Sequence, residues 1–238
     1  MERPRLIVAF AGGGGADPSR ASGGFGMPVY EFRRFLSTNF PDVCKVFVRD
    51  NSGVPGGRFY FSGLDISEDS QTQQRDTTTS SVETNLATLK EVIGEADYSR
   101  VIFIGNSSGA FAAVLYGLLL GVDSIMGFGT FTNITQDCLV RQEMQFSHVI
   151  RKLWAELPAH KYYDLRSLSN NSGAEIQLVY GSLAPLDKVQ AHYLADTENV
   201  SITCCADAGH AGCIRVYRDN GKLKTMIEES LVAYKLLS

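Results

Sequence analysis

The stretch VIFIGNSSGAFAAVLYG, from Val101 to Gly117, places two adjacent serines between glycines where an apolar run gives way to a helical one. The run VIFIG is continuously apolar, as expected for a strand that is covered on both faces of a parallel sheet. The residues after the second glycine predict a helix. Ser107 and Ser108 are therefore predicted to lie in a tight turn that joins a buried strand to a helix.

Strand and helix candidates alternate along almost the whole chain, which is typical of an α/β fold with a mostly parallel central sheet and helices on both faces. The predicted strands are Leu6–Ala11, Val43–Val48, Arg58–Phe61, Val101–Gly105, Ser124–Gly129, Glu175–Tyr180 and Asn199–Cys205. The predicted helices are Pro28–Thr38, Ser81–Ala96, Ala110–Leu120, Gln136–Glu156, Leu186–Ala195 and Lys222–Leu237. We predict that residues 1–238 form a single domain.

Two stretches interrupt this alternation. Residues 62–80 are polar and are predicted to form a solvated loop, with a mobile rim over a site as the alternative. Residues 131–174 are too long for a simple connection between two strands. This second stretch is predicted to be either a small cap over a pocket or a crossover insertion.

Composition and charge limit the classes of molecule that the protein is expected to bind. The chain is 44% hydrophobic, which is enough for a sizeable core, and its net charge is -4. No stretch concentrates Lys and Arg on one face, so nucleic acid and anionic membranes are disfavoured as partners. The five cysteines form no CxxC pair, which argues against a disulfide framework and against structural zinc. Neither a metal nor a cofactor is predicted.

The apolar run Leu6–Ala11 near the N-terminus is too short for a signal peptide or a membrane span. We therefore expect a soluble, cytoplasmic protein. Its expected partner is a small-molecule acyl substrate.

The turn after the buried strand, Gly105-Asn106-Ser107-Ser108-Gly109, fits the pattern G-x-S-x-G. This pattern is short, and it gains meaning only when it follows a strand and opens a helix, because that turn projects the central serine at the carboxyl edge of the sheet. Side chains at the two glycines are expected to clash with the neighbouring strand and helix. The following helix directs its amides and positive dipole at the site. Ser107 is therefore a candidate nucleophile.

A serine nucleophile needs a base and an acid that orients the base, and in this architecture they follow in the order serine, acid, histidine. Asp187 lies in the loop after the penultimate strand, and His210 lies in a glycine-flanked loop after the last strand. Both positions are at the carboxyl edge where Ser107 is expected. Asp207, three residues before His210, is the competing acid, although it is expected to shape its own turn.

Amide donors for the charge that develops on an attacked carbonyl are also predicted. One donor is the backbone N–H of Ser108, directly after the nucleophile. The other is assigned to Gly12 or Gly13, in the glycine run that follows the first strand, because glycines let the backbone approach a ligand closely. A flexible loop is the alternative for this run, and a phosphate-binding loop is disfavoured because no Lys-Ser/Thr pair follows it.

Together these features resemble the α/β-hydrolase superfamily, over nearly the whole chain. The resemblance implies that Ser107 is the nucleophile, His210 the general base and Asp187 the orienting acid, with Ser108 and Gly12 or Gly13 as oxyanion donors. Two departures stand out. The glycine run lacks the histidine of the HGGG pattern of many lipases and esterases, and the sheet is expected to be short at its start, without leading antiparallel strands.

The set of Ser107, Asp187 and His210 predicts acyl transfer to water through an acyl-enzyme on Ser107, with an ester or thioester of a small molecule as substrate. A non-catalytic protein that uses the same pocket to bind a small molecule or a partner is the alternative from another class. A lyase or an acyltransferase with the same residues is the third possibility. Six aromatic residues are expected either to line an apolar pocket or to pack in the core: Phe59, Tyr60, Phe61, Phe131, Tyr162 and Tyr163.

Overall fold

The computed structural model describes residues 3–12, 32–51, 59–68, 74–77, 81–141, 148–210 and 212–232. Its strands are β1 (Arg5–Phe10), β2 (Cys44–Asp50), β3 (Leu64–Glu68), β4 (Gln74–Thr77), β5 (Arg100–Asn106), β6 (Ser124–Phe128), β7 (Glu175–Gly181) and β8 (Val200–Cys205). Its helices are α1 (Arg33–Asn39), α2 (Val82–Gly94), α3 (Ser108–Leu120), α4 (Gln136–Arg141), α5 (His148–Glu156), α6 (Arg166–Ser169), α7 (Pro185–His192), α8 (Gly212–Asp219) and α9 (Lys222–Val232).

The described strands form one eight-stranded sheet in the order β4-β3-β2-β1-β5-β6-β7-β8. Strands β2, β1, β5, β6, β7 and β8 are parallel to one another, whereas β3 runs antiparallel to β2 and β4 antiparallel to β3. The predicted mostly parallel sheet is confirmed. The carboxyl ends of the parallel strands therefore share one edge, and the loops after β1, β5, β7 and β8 meet there.

Helices cover both faces of the sheet, as predicted. Successive strand residues point to opposite faces, so Leu6 and Val8 lie in one apolar cluster while Ile7 and Ala9 lie in the other. The first cluster includes residues of α2 and α3 and of the segment 131–174. The second cluster contains residues of α1, α8 and α9. The role of the segment 131–174 as a cap stays a prediction.

The polar stretch 62–80 was predicted to be a loop, and this prediction is wrong where the structure describes it, because the stretch contains β3 and β4. The segment LDISE alternates apolar and polar residues, so Leu64 and Ile66 enter the core. The intervening Asp65 is fully buried and pairs with Arg49 on the neighbouring strand β2. That partner, which lies far away in the sequence, makes a polar segment compatible with a strand.

The predicted strand Arg58–Phe61 is also wrong in its described part, because Phe59 and Tyr60 have φ angles of 53° and 61°. This left-handed conformation is incompatible with an extended strand. The place beyond β2 is held instead by β3 and β4, which follow β2 in the chain. Among the described residues no strand precedes β1, but the edge of the sheet that was expected to be short carries the two antiparallel strands β3 and β4.

The predicted helix Gln136–Glu156 is described as two helices, α4 and α5, with residues 142–147 outside the described part. The sequence predicts one helix after His210, whereas the structure has two, α8 and α9. The segment GCIRVYRD, which forms α8, places Cys213, Ile214 and Tyr217 on one buried face. None of the described helices is long and apolar enough to cross a membrane.

Candidate active site

Ser107 lies between β5 and α3 in a strained backbone conformation, with φ 53° and ψ -120°. A non-glycine residue in this region is energetically unfavourable and persists only where its surroundings hold it. Its N–H donates to the carbonyl of Phe128 on β6 at 2.8 Å, and its carbonyl accepts from the N–H groups of Ala110 and Phe111. The strand on one side and the helix on the other therefore fix the serine at the carboxyl edge of the sheet.

The two glycines that flank this turn have the steric reason expected from the sequence. A Cβ added to Gly105 would lie 2.1 Å from the carbonyl oxygen of Gly109, in the first turn of α3. A Cβ added to Gly109 would lie 2.5 Å from the carbonyl oxygens of both Phe10 and Ala11, at the end of β1. The first glycine lets the helix fold back on β5, and the second lets the helix approach β1.

Replacing Gly105 with alanine is expected to lower the free energy of unfolding by about 3 kcal/mol, because its contact is with backbone that has no room to move. Gly94, at the end of α2, is the matched control, since no atom lies within 4 Å of a Cβ added there. Gly94→Ala is expected to raise stability by up to about 1 kcal/mol. Urea unfolding of both variants measures the difference, and equal midpoints would contradict the steric argument.

The structure brings Ser107, His210 and Asp187 into one hydrogen-bonded chain. The Ser107 Oγ lies 2.9 Å from the His210 Nε2, and the His210 Nδ1 lies 2.7 Å from the Asp187 Oδ1. A carboxylate accepts only, so Nδ1 carries a proton and Nε2 is left to accept the proton of the Ser107 hydroxyl. This tautomer is the one that a general base next to a serine requires.

Exposure differs sharply along this chain of groups. The His210 side chain is 42% exposed, whereas the Asp187 side chain is 2% exposed. The buried Asp187 Oδ2 has no hydrogen-bond partner among the described residues. The carboxylate is thus buried, with the imidazole as its hydrogen-bond partner.

Asp187 was predicted to lie in a loop, but it lies in the first turn of α7. The segment that leads from β7 to this helix is joined by hydrogen bonds to the loop that carries His210. The N–H of Ser182 donates to the carbonyl of Cys205, and the N–H of Leu183 donates to the carbonyl of Ala208, both at 2.9 Å. Gly181 permits this approach, because a Cβ added there would lie 2.2 Å from the Ala208 carbonyl oxygen. The acid and the histidine are therefore positioned by one connected unit at the end of β7 and β8.

Asp207, the competing acid, lies elsewhere. It is exposed, and its backbone N–H donates to the Ser182 Oγ at 2.9 Å. Its φ angle of 55° lies in the left-handed region, which Asp adopts more readily than most residues. The described contacts place Asp187, and not Asp207, on His210.

Of the other three histidines, His160 and His192 make their described ring contacts with residues other than Ser107. His160 packs against the rings of Phe61, Tyr162 and Tyr163, and burial lowers its pKa. His192 is exposed on α7 and lies 5.7 Å, centroid to centroid, from the Tyr180 ring. His148 begins α5, in the segment 131–174.

The candidate oxyanion donors lie on the two segments that meet at Gly109. Ser108 is buried and begins α3, whose amides and positive dipole end face the turn at Ser107. Gly12 directly follows Ala11, whose carbonyl oxygen packs against Gly109, so the start of the glycine run is adjacent to the helix that Ser107 opens. Gly13 lies outside the described residues.

Sequence reasoning missed the role of Gln190, one turn after Asp187 on α7. Its buried side chain accepts hydrogen bonds from the N–H groups of Thr132 and Asn133, at 2.8 and 2.9 Å, and donates to the Asn133 carbonyl at 3.0 Å. Helix α7 therefore holds both the acid and the loop after β6. The spacing from Asp187 is helical, but nothing in the sequence indicates the distant loop that this glutamine binds.

The six aromatic residues divide between core and site. Phe59, Tyr60, Phe61 and Tyr163 are buried, as expected for core packing, and Phe131 and Tyr162 are partly buried. The Phe131 ring lies 5.9 Å from the His210 ring in an edge-on arrangement, and 5.5 Å from the Phe59 ring. Phe131 is thus an apolar neighbour of the histidine. Within the described ranges, no group of three or more His, Cys, Asp or Glu side chains is placed to hold a metal ion.

No protein-family model and no curated protein matches the sequence. Solved structures, however, have a similar fold. The capsule O-acetyltransferase of Neisseria meningitidis serogroup A is 14% identical, with a TM-score of 0.62 over 95% of this chain and 88% of that chain. The S-formylglutathione hydrolase of Agrobacterium tumefaciens is 17% identical, with a TM-score of 0.52 over 95% of this chain and 84% of that chain.

A serine hydrolase involved in carbazole degradation is 12% identical, with a TM-score of 0.55 over 95% of this chain and 92% of that chain. At these identities the similarity concerns the fold. On this evidence the chain has the α/β-hydrolase fold.

Proposed function

We propose that the protein is a serine hydrolase that cleaves an ester or thioester of a small molecule through an acyl-enzyme on Ser107. The observation that carries this proposal is the continuous hydrogen-bonded chain from Ser107 through His210 to the buried Asp187. A strained serine at the end of a strand, next to a histidine in the required tautomer, is a costly arrangement for a purely structural turn. The fold similarity to hydrolases supports the same assignment.

The geometry gives each group a role in the reaction. The Ser107 Oγ attacks the acyl carbon while its proton passes to the His210 Nε2, and the carbonyl oxygen becomes an oxyanion. The tetrahedral intermediate then collapses, and the proton on His210 goes to the departing alcohol or thiol. Water, deprotonated by His210, attacks the acyl-enzyme, and the carboxylic acid leaves as the proton returns to Ser107.

Asp187 acts through His210. Its carboxylate holds the Nδ1 proton, which orients the ring and stabilises the imidazolium that forms when Ser107 attacks. The backbone N–H groups of Ser108 and Gly12 are proposed to donate to the oxyanion. The ester or thioester is favoured as substrate because its leaving group departs with less need for protonation than that of an amide.

Labelling with a fluorophosphonate tests the proposal directly. The Ser107 Oγ is expected to displace fluoride from phosphorus, with its proton passing to His210, and to leave one phosphonyl group on the peptide that contains Ser107. Heat-denatured protein and the variant Ser107→Ala are expected to stay unlabelled. The variant Ser167→Ala, which removes an exposed hydroxyl on α6, is expected to label as the parent protein does. Absence of labelling in the folded parent protein would favour a binding protein over an enzyme.

Acyl transfer to an alcohol is the second candidate, because the similar structures include an O-acetyltransferase and both reactions share the acyl-enzyme. The two differ only in which nucleophile attacks the acyl-enzyme. Turnover of p-nitrophenyl acetate in the presence of a series of alcohols and sugars distinguishes them. A hydrolase is expected to release mainly acetate, whereas a transferase would release mainly the new ester at acceptor concentrations far below that of water.

A further inference from the structure

The side chain of Tyr60 reaches the backbone at the start of the glycine run. Tyr60 is fully buried, and its hydroxyl donates to the carbonyl oxygen of Ala11 at 2.5 Å. The N–H of Ala11 donates in turn to the carbonyl of Val48 on β2 at 2.9 Å. Both polar groups of Ala11 are therefore held, one by the sheet and one by the tyrosine.

Tyr60 is itself held by three buried side chains. Its N–H donates to the Asp50 carboxylate at 2.9 Å, and its carbonyl accepts from the Tyr116 hydroxyl at 2.6 Å and from the Asn85 amide at 2.7 Å. The Asn85 amide also donates to the Tyr116 hydroxyl at 2.9 Å, and burial raises the pKa of Tyr116, which keeps it a hydrogen-bond donor. Together these hydrogen bonds fix the Tyr60 hydroxyl in position beside the carbonyl oxygen of Ala11.

The backbone at this point is strained. Phe59 and Tyr60 both have positive φ angles, 53° and 61°, which are unfavourable for bulky side chains. Strained conformations of this kind persist when the surrounding contacts hold them, and they concentrate at functional sites. The hydrogen bonds from the Tyr60 backbone to Asp50, Asn85 and Tyr116 are contacts that can hold this strained turn in place. The same turn also places the Phe59 ring against that of Phe131, which neighbours His210.

Peptide geometry links the Tyr60 hydroxyl to the N–H of Gly12. The structure has no cis peptide bond among its described residues, and in a trans peptide the C=O and the following N–H point in opposite directions. A hydroxyl that fixes the Ala11 carbonyl therefore also fixes the direction of the Gly12 N–H. This peptide lies against the first turn of α3, because Gly109 has no Cβ to keep the Ala11 carbonyl away.

We propose that Tyr60 is a positioning residue for the oxyanion site: its hydroxyl holds the Ala11–Gly12 peptide in the orientation in which the Gly12 N–H donates to the oxyanion. This inference rests on the proposed function, since it requires an acyl group on Ser107. The tyrosine does not touch the substrate. Its effect is on the transition state, because the negative charge on the carbonyl oxygen is fully developed only there.

The variant Tyr60→Phe removes the hydroxyl and keeps the ring. We expect kcat for p-nitrophenyl acetate to fall by about 10- to 100-fold, less than the loss of a whole oxyanion donor, with KM changed by less than about twofold. A trifluoromethyl ketone, which adds the Ser107 Oγ and so forms an oxyanion, is expected to bind more weakly by the same factor. A ground-state ligand such as the product acid is expected to bind equally well.

Tyr163→Phe is the matched control, because it also removes a buried tyrosine hydroxyl that donates to a backbone carbonyl, that of Leu157 at 2.6 Å. Both variants are expected to lose similar thermal stability, and only Tyr60→Phe is expected to lose kcat and affinity for the ketone. Equal kinetics of the two variants would overturn the inference while leaving the proposed function intact. A parent protein that no fluorophosphonate labels would instead overturn the proposed function itself.

A measurement on the parent protein covers the case in which Tyr60→Phe does not fold. In protein labelled with ¹⁵N at glycine, the amide proton of Gly12 is expected to move downfield when the trifluoromethyl ketone binds, because it then donates to an oxyanion. The same shift in Ser107→Ala would mean that the signal reports something other than the oxyanion. An unmoved Gly12 resonance in the inhibited parent protein rejects the role of Tyr60 outright.

Discussion

Replacing Ser107 with alanine is expected to lower kcat for p-nitrophenyl acetate by about 10⁶-fold, the size of the loss when a protease of this catalytic type loses its serine. The reason lies in the described contacts of His210: its Nε2 contacts the Ser107 hydroxyl, and its Nδ1 is occupied by the Asp187 carboxylate. Stopped-flow release of p-nitrophenol measures the effect, and the initial burst of an acyl-enzyme should vanish with it.

Ser107→Gly separates the chemistry from the strain at this position. Alanine keeps the unfavourable positive φ of 53°, whereas glycine adopts it without penalty. We expect both variants to be equally inactive but Ser107→Gly to unfold at a higher temperature than Ser107→Ala. Substantial activity in either variant would mean that Ser107 is not the nucleophile, and that the hydrogen-bonded chain serves binding alone.

The parallel part of the sheet was predictable because its signal is local. The runs LIVAF, VIFIG and SIMGF are almost wholly buried on both faces. Each is therefore almost entirely apolar, and this pattern can be recognised without knowledge of the neighbouring strands. The strand β3 was missed for the opposite reason. Its Asp65 is polar in sequence and becomes compatible with burial only through Arg49, which no local pattern reveals.

The residues of the candidate site also divide into those that local sequence patterns predict and those that they do not. Ser107, Asp187 and His210 each follow a predicted strand, so chain order and the shared edge of a parallel sheet were enough to bring them together. The contacts of Tyr60 with Ala11 and of Gln190 with Asn133 join segments whose proximity depends on a strained turn and on helix packing. These supporting contacts are long-range and individually ordinary in type, so sequence patterns do not signal them.

The comparison of Asp187→Asn with Asp207→Asn decides which acid serves His210. In Asp187→Asn the amide can donate to the His210 Nδ1, which moves the ring proton to Nε2 and leaves no base for the Ser107 hydroxyl. We expect kcat to fall by about 10⁴-fold with little change in KM, as for the equivalent change in a serine protease. Asp207→Asn removes an exposed charge that the described contacts do not place on His210, and a modest effect is expected.

The thermal stability of Asp187→Asn is not expected to fall with its activity. The Asp187 carboxylate is buried with one oxygen lacking a hydrogen-bond partner among the described residues, so its charge is costly to the folded state. Asparagine removes that charge, and thermal unfolding of Asp187→Asn is therefore expected at the temperature of the parent protein or above it. A fully active Asp187→Asn beside a crippled Asp207→Asn would reverse the assignment of the acid while leaving Ser107 and His210 in place.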